Sequence, residues 1–117
     1  MRLEEEAQSI LNRLVSVPFE ECYPLSREFS DMPTTAGLYA LRHREHGILY
    51  IGLAIALRRR FRDGGHKAFL WALLDCYSPY DLRIAVELLT IQTFQQGDLL
   101  ETRMIQSAKP RYNVRKK

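Results

Sequence analysis

The sequence predicts an α+β domain whose elements run helix, strand, strand, helix, helix, strand, helix. Three observations carry that prediction. Residues 2–16 place Leu3, Ala7, Ile10, Leu11, Leu14 and Val15 at helical spacing. Residues 36–52 hold two runs rich in aromatic and branched side chains around a polar turn. Residues 82–88 alternate Leu82, Ile84, Val86 and Leu88 with Arg83, Ala85 and Glu87, the pattern of a strand with one strongly apolar face.

Taken in order, the first helix carries Glu4, Glu5 and Glu6 in its opening turn, where the macrodipole favours anions, and Pro18 follows its end. Residues 17–35 contain Pro18, Pro24 and Pro33 and read as an irregular linker pinned to the core by Phe19 and Phe29. The hairpin strands are Ala36–Arg42 and Ile48–Gly52, joined through His43–Gly47. A helix is expected over Ala54–Asp63, ended by Gly64 and Gly65. A second is expected over Lys67–Cys76, apolar almost all round and therefore buried. Pro79 marks a loop before the third strand. Thr93-Phe94-Gln95-Gln96 fits a capping box that opens a last helix running to about Ala108, before Pro110. Arg115-Lys116-Lys117 forms a basic tail.

With 117 residues the chain has room for one core, so residues 1–33 are expected to pack as a helix and linker on a domain of residues 34–117. An apolar content of 46% against 26% charged excludes a disordered or low-complexity chain. No apolar run reaches the ~18–20 residues of a membrane span, and Met1-Arg2-Leu3-Glu4 does not open a signal peptide, so no membrane role is expected. Cys22 and Cys76 make neither a disulfide framework nor a zinc motif, and a reducing, cytoplasmic setting is expected. Charge is unevenly spread. Residues 1–31 set three arginines against seven acidic groups, whereas the remainder sets fourteen basic groups against seven acidic ones. Arginine outnumbers lysine thirteen to four, a bias towards phosphate recognition.

Local misfits point to a site, because sites are where local consistency fails. On a wheel of ~100° per residue, Phe94, Leu100, Met104, Ile105 and Ala108 define the inner arc of the last helix, and Glu101 falls within it. A carboxylate there is costly unless it is paired or holds a cation, so it reads either as half of a Glu–Arg salt bridge or as a metal ligand or catalytic group. A two-residue turn at Arg44-Glu45 would set Tyr39 directly opposite Tyr50 on one side of the sheet, an arrangement that serves packing as readily as chemistry. Arg58, Arg59, Arg60 and Arg62 crowd the helix after the hairpin; Arg60 borders its inner arc and Arg59 points away.

Gly37-Leu38-Tyr39, then Tyr50-Ile51-Gly52, Arg60, Glu101 and the Asn113 of Pro110-Arg111-Tyr112-Asn113 resemble the GIY-YIG nuclease pattern, as found in UvrC-type excision-repair proteins and in homing endonucleases. The intervals agree: eleven residues from Tyr39 to Tyr50, ten on to Arg60, and twelve from Glu101 to Asn113. The match covers about residues 34–114. The resemblance implies a small three-stranded antiparallel sheet flanked by helices, with the N-terminal helix as an addition. It implies a DNA endonuclease or nickase that hydrolyses phosphodiesters with one Mg²⁺ or Mn²⁺. Glu101 would hold the ion, Arg60 would offset charge on the transition state, and Tyr39 would act as base with Tyr50 as its partner. Asn113 would tie the C-terminal segment to the site, and Gly37 and Gly52 would allow close backbone approach. Arg58, Arg62, His66, Lys67 and Arg111 are the expected nucleic-acid contacts. The partner would be DNA, branched or damaged, with targeting by another protein or a second subunit. Two positions depart from the pattern. Leu53 stands where many members carry a polar group. Gly64 stands where homing members place a histidine one turn after the arginine; His66, two residues on, reads either as its substitute or as a solvated loop histidine. The alternative is a catalytically weak or inactive nucleic-acid-binding module on the same fold, and a third reading has the acidic helix docking a protein partner.

Overall fold

A computed structural model describes residues 2–26, 28–62 and 66–115. Helix α1 (Leu3–Ser16) leads through a 3₁₀ turn into a short strand, β1 (Tyr23–Pro24). The hairpin β2 (Gly37–His43) and β3 (Gly47–Ala54) follows, then α2 (Leu57–Arg62) and α3 (Lys67–Leu74). Strand β4 (Leu82–Leu88) precedes α4 (Ile91–Phe94), α5 (Gly97–Ala108) and α6 (Arg111–Arg115). The sheet is antiparallel in the order β1-β4-β2-β3.

The expected three strands are present, and the sheet has a fourth. Tyr23 and Pro24, inside the segment read as linker, pair with Ile84 and Arg83 on the outer side of β4. A two-residue edge strand containing proline leaves no periodic signal, and proline is tolerated there because its missing N–H is not needed on an edge.

Alternation along β2 and β3 divides the core into two layers. Leu38, Ala40, Ile51 and Ala85 face α1 and α5, where they meet Ile10, Leu11, Leu14, Leu100 and Met104. Tyr39, Leu41, Tyr50 and Ile84 face the other side, against Leu57, Phe61, Ala68, Ala72 and Tyr112. Polar groups fasten α1 to the sheet. Arg42 donates to the Leu14 and Val17 carbonyls at the C-terminal end of α1, where a cation also complements the helix dipole. Arg13 pairs with Glu87 of β4, and Glu4 pairs with Arg103 of α5.

The hairpin corrects the expected register. Three residues, Arg44 to His46, make the turn, with Gly47 in the left-handed region (φ 75°), and the pairing slips between Leu41 and Arg42. Tyr39 therefore pairs with Gly52, and Tyr50 pairs with Leu41. The two tyrosines share a face as expected, but as diagonal neighbours.

Helix α3 corrects a second expectation. Its sheet-facing side is the small pair Ala68 and Ala72, whereas Leu70, Leu73 and Leu74 are more than half exposed. The helix packs against the layer by one face only. The expected capping box at Thr93 also moves. Thr90 caps α4, its hydroxyl oxygen accepting the Thr93 N–H while the Thr93 hydroxyl oxygen accepts the Thr90 N–H. The helix then breaks at Gln95 and Gln96 and restarts as α5. Beyond Pro110 the chain turns into α6, an element the sequence does not predict; it takes in Arg115 of the expected basic tail, whose Lys116 and Lys117 lie outside the described residues. Helix α2 starts at Leu57, three residues later than expected, because β3 continues to Ala54. Its expected end at Asp63 and the glycines Gly64 and Gly65 lie outside the described residues.

Gly52 sets the layer containing the tyrosines. A Cβ built on it would land on the Tyr39 phenol, so the ring crosses β3 at a position with no side chain to clear. Gly37 makes a similar close approach, since a Cβ there would lie 2.8 Å from the Glu87 carbonyl. Replacing Gly52 with alanine must displace the phenol from a fully packed core and is expected to cost about 1–3 kcal/mol in urea unfolding. A loss below about 0.5 kcal/mol, the ordinary range of surface changes, would contradict this placement.

Candidate active site

The Tyr39 hydroxyl is the centre of the site. Its ring is 1% exposed and lies 6.2 Å from the Tyr50 ring, centroid to centroid. Phe61 meets it edge-on at 4.8 Å. The hydroxyl oxygen sits 2.6 Å from His66 Nε2.

His66 is the N-cap of α3, and its Nδ1 accepts the Ala68 backbone N–H at 3.0 Å. A neutral imidazole carries one proton, so an accepting Nδ1 places that proton on Nε2. The hydrogen-bond pattern thus assigns His66 as the donor to Tyr39. It cannot take the tyrosine proton while it caps the helix. Expected at the DNA surface, His66 is instead 4% exposed and packed among Tyr39, Tyr50, Phe61 and Phe69. Histidine is not among the preferred capping residues, so nothing in the local sequence signalled this role.

Burial pushes the Tyr39 phenol well above the ordinary tyrosine range, and the neighbouring Tyr50 and Glu101 push the same way. The Arg60 guanidinium opposes them through its charge and a hydrogen-bonding contact with the phenol. Tyr39, Tyr50, Arg60 and Glu101 therefore share one electrostatic neighbourhood although they come from β2, β3, α2 and α5. Glu101 is partly buried, on a helix that packs against β3 from the opposite layer. Arg60 is exposed.

Asn113 completes the frame from α6. Strand β3 is an edge of the sheet, so the outward N–H and C=O of Ile51 have no neighbouring strand. The Asn113 side chain serves both, accepting the Ile51 N–H at 2.8 Å and donating to its carbonyl at 2.8 Å. Asn113 thereby fixes the residue between Tyr50 and Gly52. Tyr112 next to it is fully buried and donates to Asp75. Leu53, at the position of a usual polar group, packs against Gly97 at the start of α5.

The expected nucleic-acid contacts separate into two groups. Arg62 and Lys67 are exposed at the facing ends of α2 and α3. Arg58 donates to the Met32 and Ser30 carbonyls and so holds the linker, while Arg111 pairs with Asp75 and Tyr77. Arg59, which the helical wheel turned outward, lines an open recess with Arg60, Leu53, Ala54, Ile55 and Ala56.

Metal binding can be tested against the donor sets. Among the described residues, His43, Glu45 and His46 are the group of three whose ligating atoms come within 4.8 Å of one another. It is a poor metal site. His43 Nδ1 accepts the backbone N–H groups of Glu45 and His46, so its other nitrogen carries the proton and has no lone pair to offer. Burial and the neighbouring His46 hold the His43 imidazole below its usual pKa and so keep it neutral; it is the position of its one proton, not its charge, that withholds the lone pair. At Glu101 a single carboxylate with water and phosphate oxygens suits a hard ion such as Mg²⁺, which keeps several waters, and not zinc.

A model of the UvrC-like GIY-YIG domain matches residues 35–114. The chain belongs to that family. Its relatives include the UvrABC system protein C of Gloeobacter violaceus, 36% identical over 94 residues covering 71% of this chain and 13% of that protein. The protein of the same name from Anaeromyxobacter dehalogenans is 32% identical over 97 residues, covering 78% and 13%. That of Borrelia hermsii is 31% identical over 94 residues, covering 80% and 15%. The chain therefore spans about 13–15% of the length of these relatives. No solved structure matches it. Among the described residues no helix is long and apolar enough to cross a membrane.

The raised Tyr39 pKa has a signed consequence. The folded state holds the proton more tightly than the unfolded chain, so the associated stability is complete below pH 10, the ordinary tyrosine value, and is lost as pH rises beyond it. Glu101→Gln removes a cause of the rise and is expected to move Tyr39 ionisation to lower pH. Arg60→Ala is expected to move it higher. Ultraviolet difference titration of each variant, against its Tyr39→Phe counterpart, reads both shifts, and shifts of the reverse sign would contradict the arrangement.

Proposed function

We propose that this GIY-YIG domain is a metal-dependent DNA endonuclease or nickase. The observation that carries the reading is the grouping of two phenols, a guanidinium that is in no salt bridge among the described residues and a partly buried carboxylate whose charge acts on one tyrosine oxygen. In the reaction Tyr39 first gives up its phenolic proton to solvent; the attacking water then passes a proton to the Tyr39 oxygen, its oxygen bonds to phosphorus, and the bond from phosphorus to the 3′ oxygen breaks, the 3′ oxygen taking a proton from solvent. Arg60 offsets the charge that builds on the phosphate oxygens. Glu101 would hold one Mg²⁺ or Mn²⁺, which would supply Lewis acidity to the reaction.

Tyr39 is the base in this reading, with Tyr50 beside it. In the resting site burial keeps its proton in place. His66 donates to its oxygen and the nearby Arg60 charge favours the phenolate, and neutralising Glu101 removes a contribution that opposes ionisation. Base strength at Tyr39 is therefore tied to the charge state of Glu101. The relatives are named as components of a UvrABC system; by extension this chain acts on damaged or branched DNA alongside partner proteins.

A screen of nicked, branched and damaged DNA with Mg²⁺ or Mn²⁺ tests the reading. Cleavage is expected to fall by about 10²-fold or more in Tyr39→Phe, Arg60→Ala and Glu101→Ala, with circular dichroism unchanged. Robust cleavage by Glu101→Ala would remove its metal role. Salt-sensitive binding without turnover under either ion would instead support a non-catalytic module on this fold.

A further inference from the structure

The arginine recess has an apolar neighbour. Ile55, at the end of the β3–α2 connection, lines both the recess of Arg59 and Arg60 and a second recess of about 460 Å³ floored by Leu89, Ile91 and Phe94. That volume falls within the ~300–1,000 Å³ of small-molecule sites. Its walls are unusually open for such side chains: Ile55 is 74% exposed and Ile91 84% exposed.

The occupant follows from what adjoins it. Most described arginines are engaged by a carboxylate or a backbone carbonyl, as with Arg13, Arg42, Arg44, Arg58, Arg83 and Arg103. Arg59 and Arg60 are exposed and in no salt bridge among the described residues, so their charge is available to a phosphate. A polymer that sets an anion beside a flat apolar ring at each step is a nucleic acid strand. We propose that the Leu89–Ile91–Phe94 recess receives an unstacked nucleobase adjoining the phosphate held by Arg59 and Arg60. Bases within a paired duplex are stacked and cannot enter, so the preferred substrate carries a displaced or unpaired base next to the phosphate that is bound. Phe94 supplies an aromatic surface for stacking, which accepts any base because every base has a π face. This inference rests on the nuclease reading for the identity of the polymer and adds the class of DNA recognised.

The test is binding by the full chain in EDTA, by fluorescence anisotropy, to three labelled duplexes: fully paired, with one bulged nucleotide, and with that nucleotide abasic. The bulged duplex is expected to bind about tenfold tighter than the other two, the scale of one base stacked on an aromatic side chain. Ile91→Asp, at the first position of α4 where an acidic residue suits the helix, is expected to bring that ratio to about one. Ile55→Ser is expected to do the same if Ile91→Asp fails to fold. Arg59→Gln is expected to weaken all three complexes alike. Equal binding of bulged and abasic DNA overturns the base site and leaves the nuclease reading standing, as does an undiminished preference in Ile91→Asp; the recess then belongs to another occupant, such as a protein. Failure to bind any of the three at low salt overturns both.

Discussion

The Tyr39 phenol lies across the backbone of β3 at Gly52, and the rest of the site is arranged around that crossing. The ring needs a neighbour without a side chain and a β2–β3 register that sets Gly52 beside it. Both hold. The slip between Leu41 and Arg42 gives Gly52 to Tyr39 and leaves Tyr50 diagonal to it, so the two phenols sit side by side. Helix α3 meets this layer through Ala68 and Ala72, and their small size lets His66 at its N-terminus reach the Tyr39 oxygen.

Strand β3 is at once an edge of the sheet and a wall of the site. An open edge is free to slip or to pair with another chain. Asn113 closes it with two hydrogen bonds to Ile51, and the buried Tyr112 anchors the helix that carries Asn113. Glu101 comes from the layer on the other side, yet its charge reaches Tyr39 because α5 packs along the same strand. The catalytic groups proposed here thus hang on β3 and its two attachments.

Much of this was legible in the sequence. Spacing of Tyr39, Tyr50, Arg60, Glu101 and Asn113 was enough to name the family, and helical and alternating periodicity located α1, β2, β3, β4 and α5. Other features were not legible, for reasons that can be stated. The Tyr39–Tyr50 register depends on a bulge, which one extra residue creates and no local pattern announces. Strand β1 has two residues, too few for a period. Helix α3 looks uniformly apolar, yet which leucines are covered depends on elements far along the chain. His66 reads as a loop histidine until the Ala68 N–H and the Tyr39 oxygen are placed at its two nitrogens. Arg58 and Arg59 are adjacent and identical, but the linker carbonyls engage only Arg58.

Paramagnetic relaxation by Mn²⁺ on isotopically labelled protein tests the central claim, that Glu101 and the paired tyrosines form a single cation-dependent site. Substoichiometric Mn²⁺ is predicted to broaden resonances of Glu101 and of the β3 residues around Gly52 first, and Glu101→Gln is predicted to abolish that broadening. Broadening centred on the His43–His46 turn, or unchanged in Glu101→Gln, would contradict the account.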